Sequence, residues 1–222
     1  MHLRPVAPLL LLLCACARGG ATLDLSPVPI PAVVSTPAAI ARARADSLQL
    51  PWTAADAEFM AGMIGHHAQA IAMARLAPGN GASPSVRTLA ARIINAQTDE
   101  IQLMRQWLSD RGQPVPAADP KGMKHEMGGQ SMMMLMPGML SEAQMLELSQ
   151  ARKREFDRLF LQYMIQHHQG AVSMVQTLFA SDGAGQNQTV FKFASDVNVD
   201  QTTEIARMQR MLSEIVLGGS KP

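Results

Sequence analysis

Two stretches of the chain share one spacing of apolar and polar positions. Residues 56, 59, 63, 66, 70 and 73 read Asp, Phe, Met, His, Ala, Met, and residues 157, 160, 164, 167, 171 and 174 read the same. Steps of three and four put each set on one face of a helix. The stretches are "DAEFMAGMIGHHAQAIAMA" and "DRLFLQYMIQHHQGAVSM", offset by 101 residues. Each is followed by a second related block. "NAQTDEIQLMRQWL" (95–108) resembles "NVDQTTEIARMQRML" (198–212), with Gln97, Glu100, Ile101, Met104 and Leu108 matching Gln201, Glu204, Ile205, Met208 and Leu212. Turn-rich connections, "APGNGASPS" and "SDGAGQNQT", separate the blocks.

The pattern therefore predicts a duplicated unit of helix, loop and helix. The first helix starts after Thr53, with Asp56 in a variant of the capping box, and runs to about Leu76. The second covers about Ser85 to Leu108. The third begins after Ser141, where "SEAQ" is a capping box, and continues through the second His pair with a kink near 150. The fourth covers about Thr189 to Leu217. Two helical hairpins make an all-α four-helix bundle over 51–217, with a Met-rich linker at 109–140 between them.

Composition sharpens this picture. Net charge is +1, which gives no argument for a nucleic-acid partner. Both cysteines, Cys14 and Cys16, lie in "MHLRPVAPLLLLLCACARGG", which reads as a secretory leader over 1–20. The run Leu13 to Cys16 fits a bacterial lipobox, with Cys16 as the lipidated residue and the membrane as the anchor point. Residues 21–50 hold Pro27, Pro29, Pro31 and Pro37 and read as a tether, with "IARARADSLQL" as a possible short helix. An exported domain without cysteine must build any metal site from His, Met and carboxylates.

Candidate chemistry follows from the duplication. Four of the six histidines are His66, His67, His167 and His168. Neighbours on a helix point about 100° apart, so a pair is not a chelate by itself. Met63 and Met164 stand three residues before the pairs, and the useful unit is Met-x-x-His-His. The second helices add Glu100, Glu204, Met104 and Met208 as candidate ligands. Imidazole suits several transition metals and thioether selects Cu(I), so copper is the expected metal. Glu100 and Glu204 could instead orient a liganding His. The ordinary alternative makes the methionines core filler and the histidines hydrogen-bonded core residues. Asp56 and Asp157 lie nearly three turns, roughly 15 Å, before the histidines, where capping competes with ligation. The linker "KGMKHEMGGQSMMMLMPGML" supplies a secondary candidate site at Met123, His125 and Met127.

"DAEFMAGMIGHHAQAIAMA", "MPGMLSEAQM" and "EFDRLFLQYMIQHHQGAVSM" resemble the bacterial DUF305 family, over about Pro51 to Leu217. The resemblance implies a ferritin-like bundle, export to the periplasm or envelope, and a copper-related role in some members. The chain departs at "SQARKREFD", where many members carry a glycine. The expected function is a non-enzymatic copper binder that sequesters copper or hands it to a donor or acceptor protein. Two alternatives stand beside it. One is a ferritin-like di-metal oxidase or peroxidase, although such bundles use Glu-x-x-His rather than Gln-x-x-Glu. The other is a structural envelope protein without metal.

Overall fold

The computed structural model describes residues 36–127 and 130–218. In chain order the elements are α1 (Pro37–Gln49), α2 (Ala54–Arg75), α3 (Pro84–Asp110), β1 (Met123–Met127), β2 (Gln130–Met134), α4 (Glu142–Gln150), α5 (Lys153–Ala180) and α6 (Gln188–Gly218). The fold is all-α, and its one sheet among the described residues is a two-stranded antiparallel ribbon in the linker. The stretch read as a leader, residues 1–20 with Cys16, lies outside the described residues. Among the described residues, no helix is long and apolar enough to cross a membrane.

Helices α2 and α3 form one hairpin, α5 and α6 the other, and α2 packs on α5. Helix α2 starts where its caps dictate. Thr53 accepts from the Asp56 backbone N–H, and Asp56 accepts in return from Thr53 N–H at 2.8 Å. Pro84 and the Ser83 cap open α3. Helix α2 is buried almost all round: between Asp56 and Ala74 only Ala57, Glu58, Ala61 and Ala72 are not. It is the central helix, so apolar and small residues occupy every side of it.

The expected third helix is two helices. Ser141 and Gln144 form the capping box that opens α4, as the sequence pattern requires. The chain then breaks at Ala151 and Arg152 instead of kinking. Lys153 has a φ of 53°, the left-handed region in which glycine is at home. Asn80, in the α2–α3 turn, holds this break. Its side-chain amide donates to the carbonyls of Ser149 and Ala151 at 3.0 and 2.8 Å, and its own carbonyl accepts from Lys153 N–H at 2.8 Å.

The core falls into two clusters, with the histidine layer between them in sequence. One holds Phe59, Met60, Met63 and Ile64 from the start of α2, with Ala171, Val175 and Leu178 from the end of α5. The other holds Met73, Ala74 and Ala77 from the end of α2, with Phe156, Phe160 and Met164 from the start of α5. Start pairs with end, so α2 and α5 run antiparallel. The α1 segment, inside the Pro-rich stretch read as tether, reaches α3 through Arg44 Nε, which donates to Asp110 at 2.6 Å.

Candidate metal centre

The histidine layer is built by the middles of α2 and α5. All four imidazoles are fully buried. His66 and His167 meet at the helix contact, with ring centroids 3.8 Å apart and planes tilted by 40°. Their neighbours turn away by the helical step. His67 Nε2 lies 2.7 Å from Glu100 Oε2 on α3, and His168 Nε2 lies 2.8 Å from Glu204 Oε2 on α6. The His168 contact is a well-formed hydrogen bond; the His67 contact is close but off the line of the ring N–H. Within each pair the rings are 6.3 Å apart at 56°, identical in the two copies. The duplication in sequence is thus a duplication in geometry.

Burial sets the electrostatics. Removal from water pushes His66 down to about 3, with the nearby His67 adding to the shift. The same burial, with repulsion from His66, holds His167 well below the ordinary histidine range. Both rings are therefore neutral at neutral pH, with lone pairs free. On the α3 and α6 side, Asp200 is raised, first by burial and then by the charges of Glu100, Asp196 and Glu204, with Arg92 opposing. Negative charge gathers beside the carboxylates that meet the histidines. Glu100 and Glu204 keep 23 % and 21 % of their side-chain surface exposed, so they connect the buried layer to solvent.

Six of the eight ring nitrogens lack an aligned hydrogen-bond partner: Nδ1 of His66 and His168, and both nitrogens of His67 and His167. Each such buried atom costs about 1–3 kcal/mol. Native interiors rarely tolerate several together unless something satisfies them. Imidazole nitrogens are good donors to a transition metal, so a metal fits this layer. Among the described residues no three His, Cys, Asp or Glu side chains converge on one point. Two imidazoles sharing one tetrahedral ion would also sit about 5 Å apart between centroids, wider than His66 and His167 do. The rings must turn to share an ion, or each must bind with fewer partners, as the soft thioether-binding Cu(I) allows.

The linker covers the layer on its remaining side. His66 Nε2 is 3.0 Å from the Pro137 carbonyl. Gln69 donates to the carbonyls of Pro120 and Leu140 at 2.9 and 3.0 Å and accepts from Leu140 N–H at 2.6 Å. Gln166 donates to Gly138 O at 3.2 Å. Gly170 admits this crossing, because a Cβ there would collide with the Pro137 carbonyl. Gly62 does so more loosely, with Met136 Sδ 3.2 Å from where its Cβ would be. None of these contacts is visible in the periodic pattern. Glycines inside helices were the available signal, since each costs stability unless a backbone comes close.

Asp56 and Asp157 lie elsewhere and have other work. Asp56 accepts from Gly185 N–H at 2.7 Å, in the turn of the opposite hairpin. Asp157 accepts from Ser83 N–H at 3.1 and 3.2 Å, in the turn of the first hairpin. Each aspartate fastens the other hairpin's turn.

The remaining candidate ligands divide. Met63 and Met104 are buried in one core cluster, Met164 and Met208 in the other. Gln97 and Gln201 are buried one turn before the glutamates, and the side-chain oxygen of each lacks a partner. Met123, His125 and Met127 lie on β1, opposite Met134, Met132 and Gln130. Met139 is buried, whereas Met133 and Met134 are exposed, so the end of the linker packs while part of the ribbon faces solvent.

The family model described as "Domain of unknown function (DUF305)" matches residues 56–212. A DUF305 protein from Streptomyces coelicolor, described as a candidate secreted protein, is similar in structure at 28% identity and a TM-score of 0.60. That match covers 72% of this chain and 93% of the other. A DUF305 fragment from Deinococcus radiodurans matches at 29% identity and a TM-score of 0.60, covering 74% and 99%. CopM in its Cu(II)-bound form matches at 30% identity and a TM-score of 0.56, also covering 74% and 99%. CopM has also been solved in a Cu(I)-bound form, which matches at 28% identity and a TM-score of 0.54. No functionally curated protein matches the chain.

Proposed function

The chain belongs to the DUF305 family, and from that premise we propose that it is an exported, non-enzymatic copper-binding protein. It would hold copper in the histidine layer, with His66, His67, His167 and His168 as the principal donors. Met63, Met104, Met164 and Met208 would add thioether contacts, and Met123, His125 and Met127 would form a second, weaker site in the linker. The carrying observation is the set of buried imidazole nitrogens without partners, repeated in both halves of the molecule. The copper-bound forms of CopM support the choice of metal. The leader and the Cys16 lipobox support export to the envelope and a lipid anchor. Sequestration, or handover to a donor or acceptor protein, is the role such a store would have.

A di-metal oxidase or peroxidase is the second reading, and the two His–Glu contacts favour it. It has fewer carboxylates to draw on, because Asp56 and Asp157 bind backbone N–H groups of the turns.

A Cu(I) competition titration of the full chain tests the proposal. Tight binding is expected in the wild type and is expected to be lost when all four layer histidines become Ala, with helicity checked by circular dichroism. Wild-type affinity in that variant would sink the histidine site. Replacing Met123, His125 and Met127 together should leave the tighter binding intact. Oxygen-dependent absorption from bound iron would favour the enzyme reading, and absence of any tight metal binding would favour a structural role.

A further inference from the structure

Three of the four imidazoles present the same nitrogen to the protein. His66 Nε2 faces the Pro137 carbonyl at 3.0 Å, His67 Nε2 faces Glu100 at 2.7 Å, and His168 Nε2 faces Glu204 at 2.8 Å. A carbonyl or carboxylate oxygen only accepts, and His66 and His168 meet it in hydrogen bonds. At His67, where the contact is off that line, a ring lone pair so close to the carboxylate would be repelled, so in all three the facing nitrogen carries the proton. In a neutral imidazole the other nitrogen then holds the lone pair. In all three rings that other nitrogen is Nδ1, which is buried and has no partner. The three outer oxygens come from different elements, the linker, α3 and α6, yet impose one tautomer.

We infer that these three histidines take up metal through Nδ1, and that Glu100, Glu204 and the Pro137 carbonyl are positioning groups rather than ligands. The inference rests on the metal-binding reading above and names its atoms. A carboxylate holding the far N–H of a liganding His fixes the ring's orientation and makes the imidazole a better donor. His167 has no carboxylate or linker carbonyl of this kind; its ring lies against His66, side chain and backbone.

The test is a long-range 1H–15N correlation spectrum of the full chain with ring-15N histidine, assigned with single His→Gln variants. Without metal, His66, His67 and His168 should show protonated Nε2 and unprotonated Nδ1. On anaerobic titration with Cu(I), the Nδ1 resonances of these rings should shift and Nε2 should keep its proton. Protonated Nδ1 in the metal-free protein, or loss of the Nε2 proton on binding, would overturn the inference while leaving copper binding intact. No shift in any layer histidine, with no tight binding, would overturn the proposed function and this inference together. Glutamine also offers an oxygen acceptor to Nε2–H. E100Q and E204Q should therefore keep the tautomer and weaken binding less than tenfold, whereas E100A and E204A should weaken it roughly 10–100-fold. Equal losses in the Gln and Ala variants would make the carboxylates ligands and overturn their positioning role.

Discussion

The two hairpins are copies on the inside and differ where the linker crosses. Toward α3 and α6 the layer is symmetric, with each outer histidine against a glutamate at 2.7 or 2.8 Å. On the linker side the symmetry fails. The first copy reads Gly65-His-His-Ala-Gln69 and the second Gln166-His-His-Gln-Gly170, so glycine and glutamine have exchanged places. There is only one linker, and it cannot meet both copies in the same way. Gln69 and Gln166 bind its backbone while Gly170 and Gly65 make room for it. A duplicated protein keeps its symmetry where the two halves face each other and gives it up where a single segment must be seated.

The symmetric interior can be probed by acid. His66 and His167 have folded values far below the unfolded value near 6.5. The folded state therefore binds fewer protons than the unfolded state below that pH. The stability of the metal-free protein is full above about 6.5 and is lost as pH falls below it, reaching down to about 3 for His66. The slope approaches about 1.4 kcal/mol per pH unit for each of the two groups. Urea denaturation between pH 7 and pH 4.5 should show it, and His66→Leu or His167→Leu should each remove about half of the slope. An unchanged slope in either variant would show that the two rings are not equivalent.

The asymmetric side is probed at its glycines. Replacing a helical Gly by Ala ordinarily gains about 1 kcal/mol. Gly170→Ala should instead cost about 3 kcal/mol or more, because the new methyl meets the Pro137 backbone. Gly65→Ala, with the Gly122 carbonyl 3.3 Å away, should change stability far less. Similar effects at the two positions in thermal melts would contradict the crossing described here.

The aspartates return to the symmetric comparison. Asp56→Ala and Asp157→Ala should each cost about 2 kcal/mol by leaving buried turn N–H groups unpaired, with copper stoichiometry unchanged. A lost copper equivalent in either would return that residue to the list of ligands. The smallest effect is at the break before α5. Lys153→Gly should add about 1 kcal/mol by relieving the left-handed backbone. No gain in melting temperature would mean that the hydrogen bond from Lys153 N–H to Asn80 already fixes that conformation.

Much of this was legible because it is local or periodic. Thr53 with Asp56 and Ser141 with Gln144 announce helix starts through side chains three residues apart. The Met-x-x-His-His and Gln-x-x-Glu spacings put the candidate ligands on helix faces, and the structure brings His67 to Glu100 and His168 to Glu204. What stayed hidden depends on backbone from distant sequence. Pro137 offers His66 only a carbonyl, which every residue has, and the cross-hairpin role of Asp56 is fulfilled at the amide of Gly185. Met139 and Leu140 of the linker are buried because the glycines and glutamines of α2 and α5 seat that segment. Such contacts have no period and no characteristic side chain.

The exchange of glycine and glutamine bears on assembly as well. Two hairpins this alike could pair with their own kind, first with first in a neighbouring molecule, and build swapped dimers. Such a pair would set two Gly65 and two Gln69 against linkers shaped for one of each. It would offer no Gly170 for Pro137 to cross. The seating of a single strap thus tells the hairpins apart, and it biases each chain to close on itself.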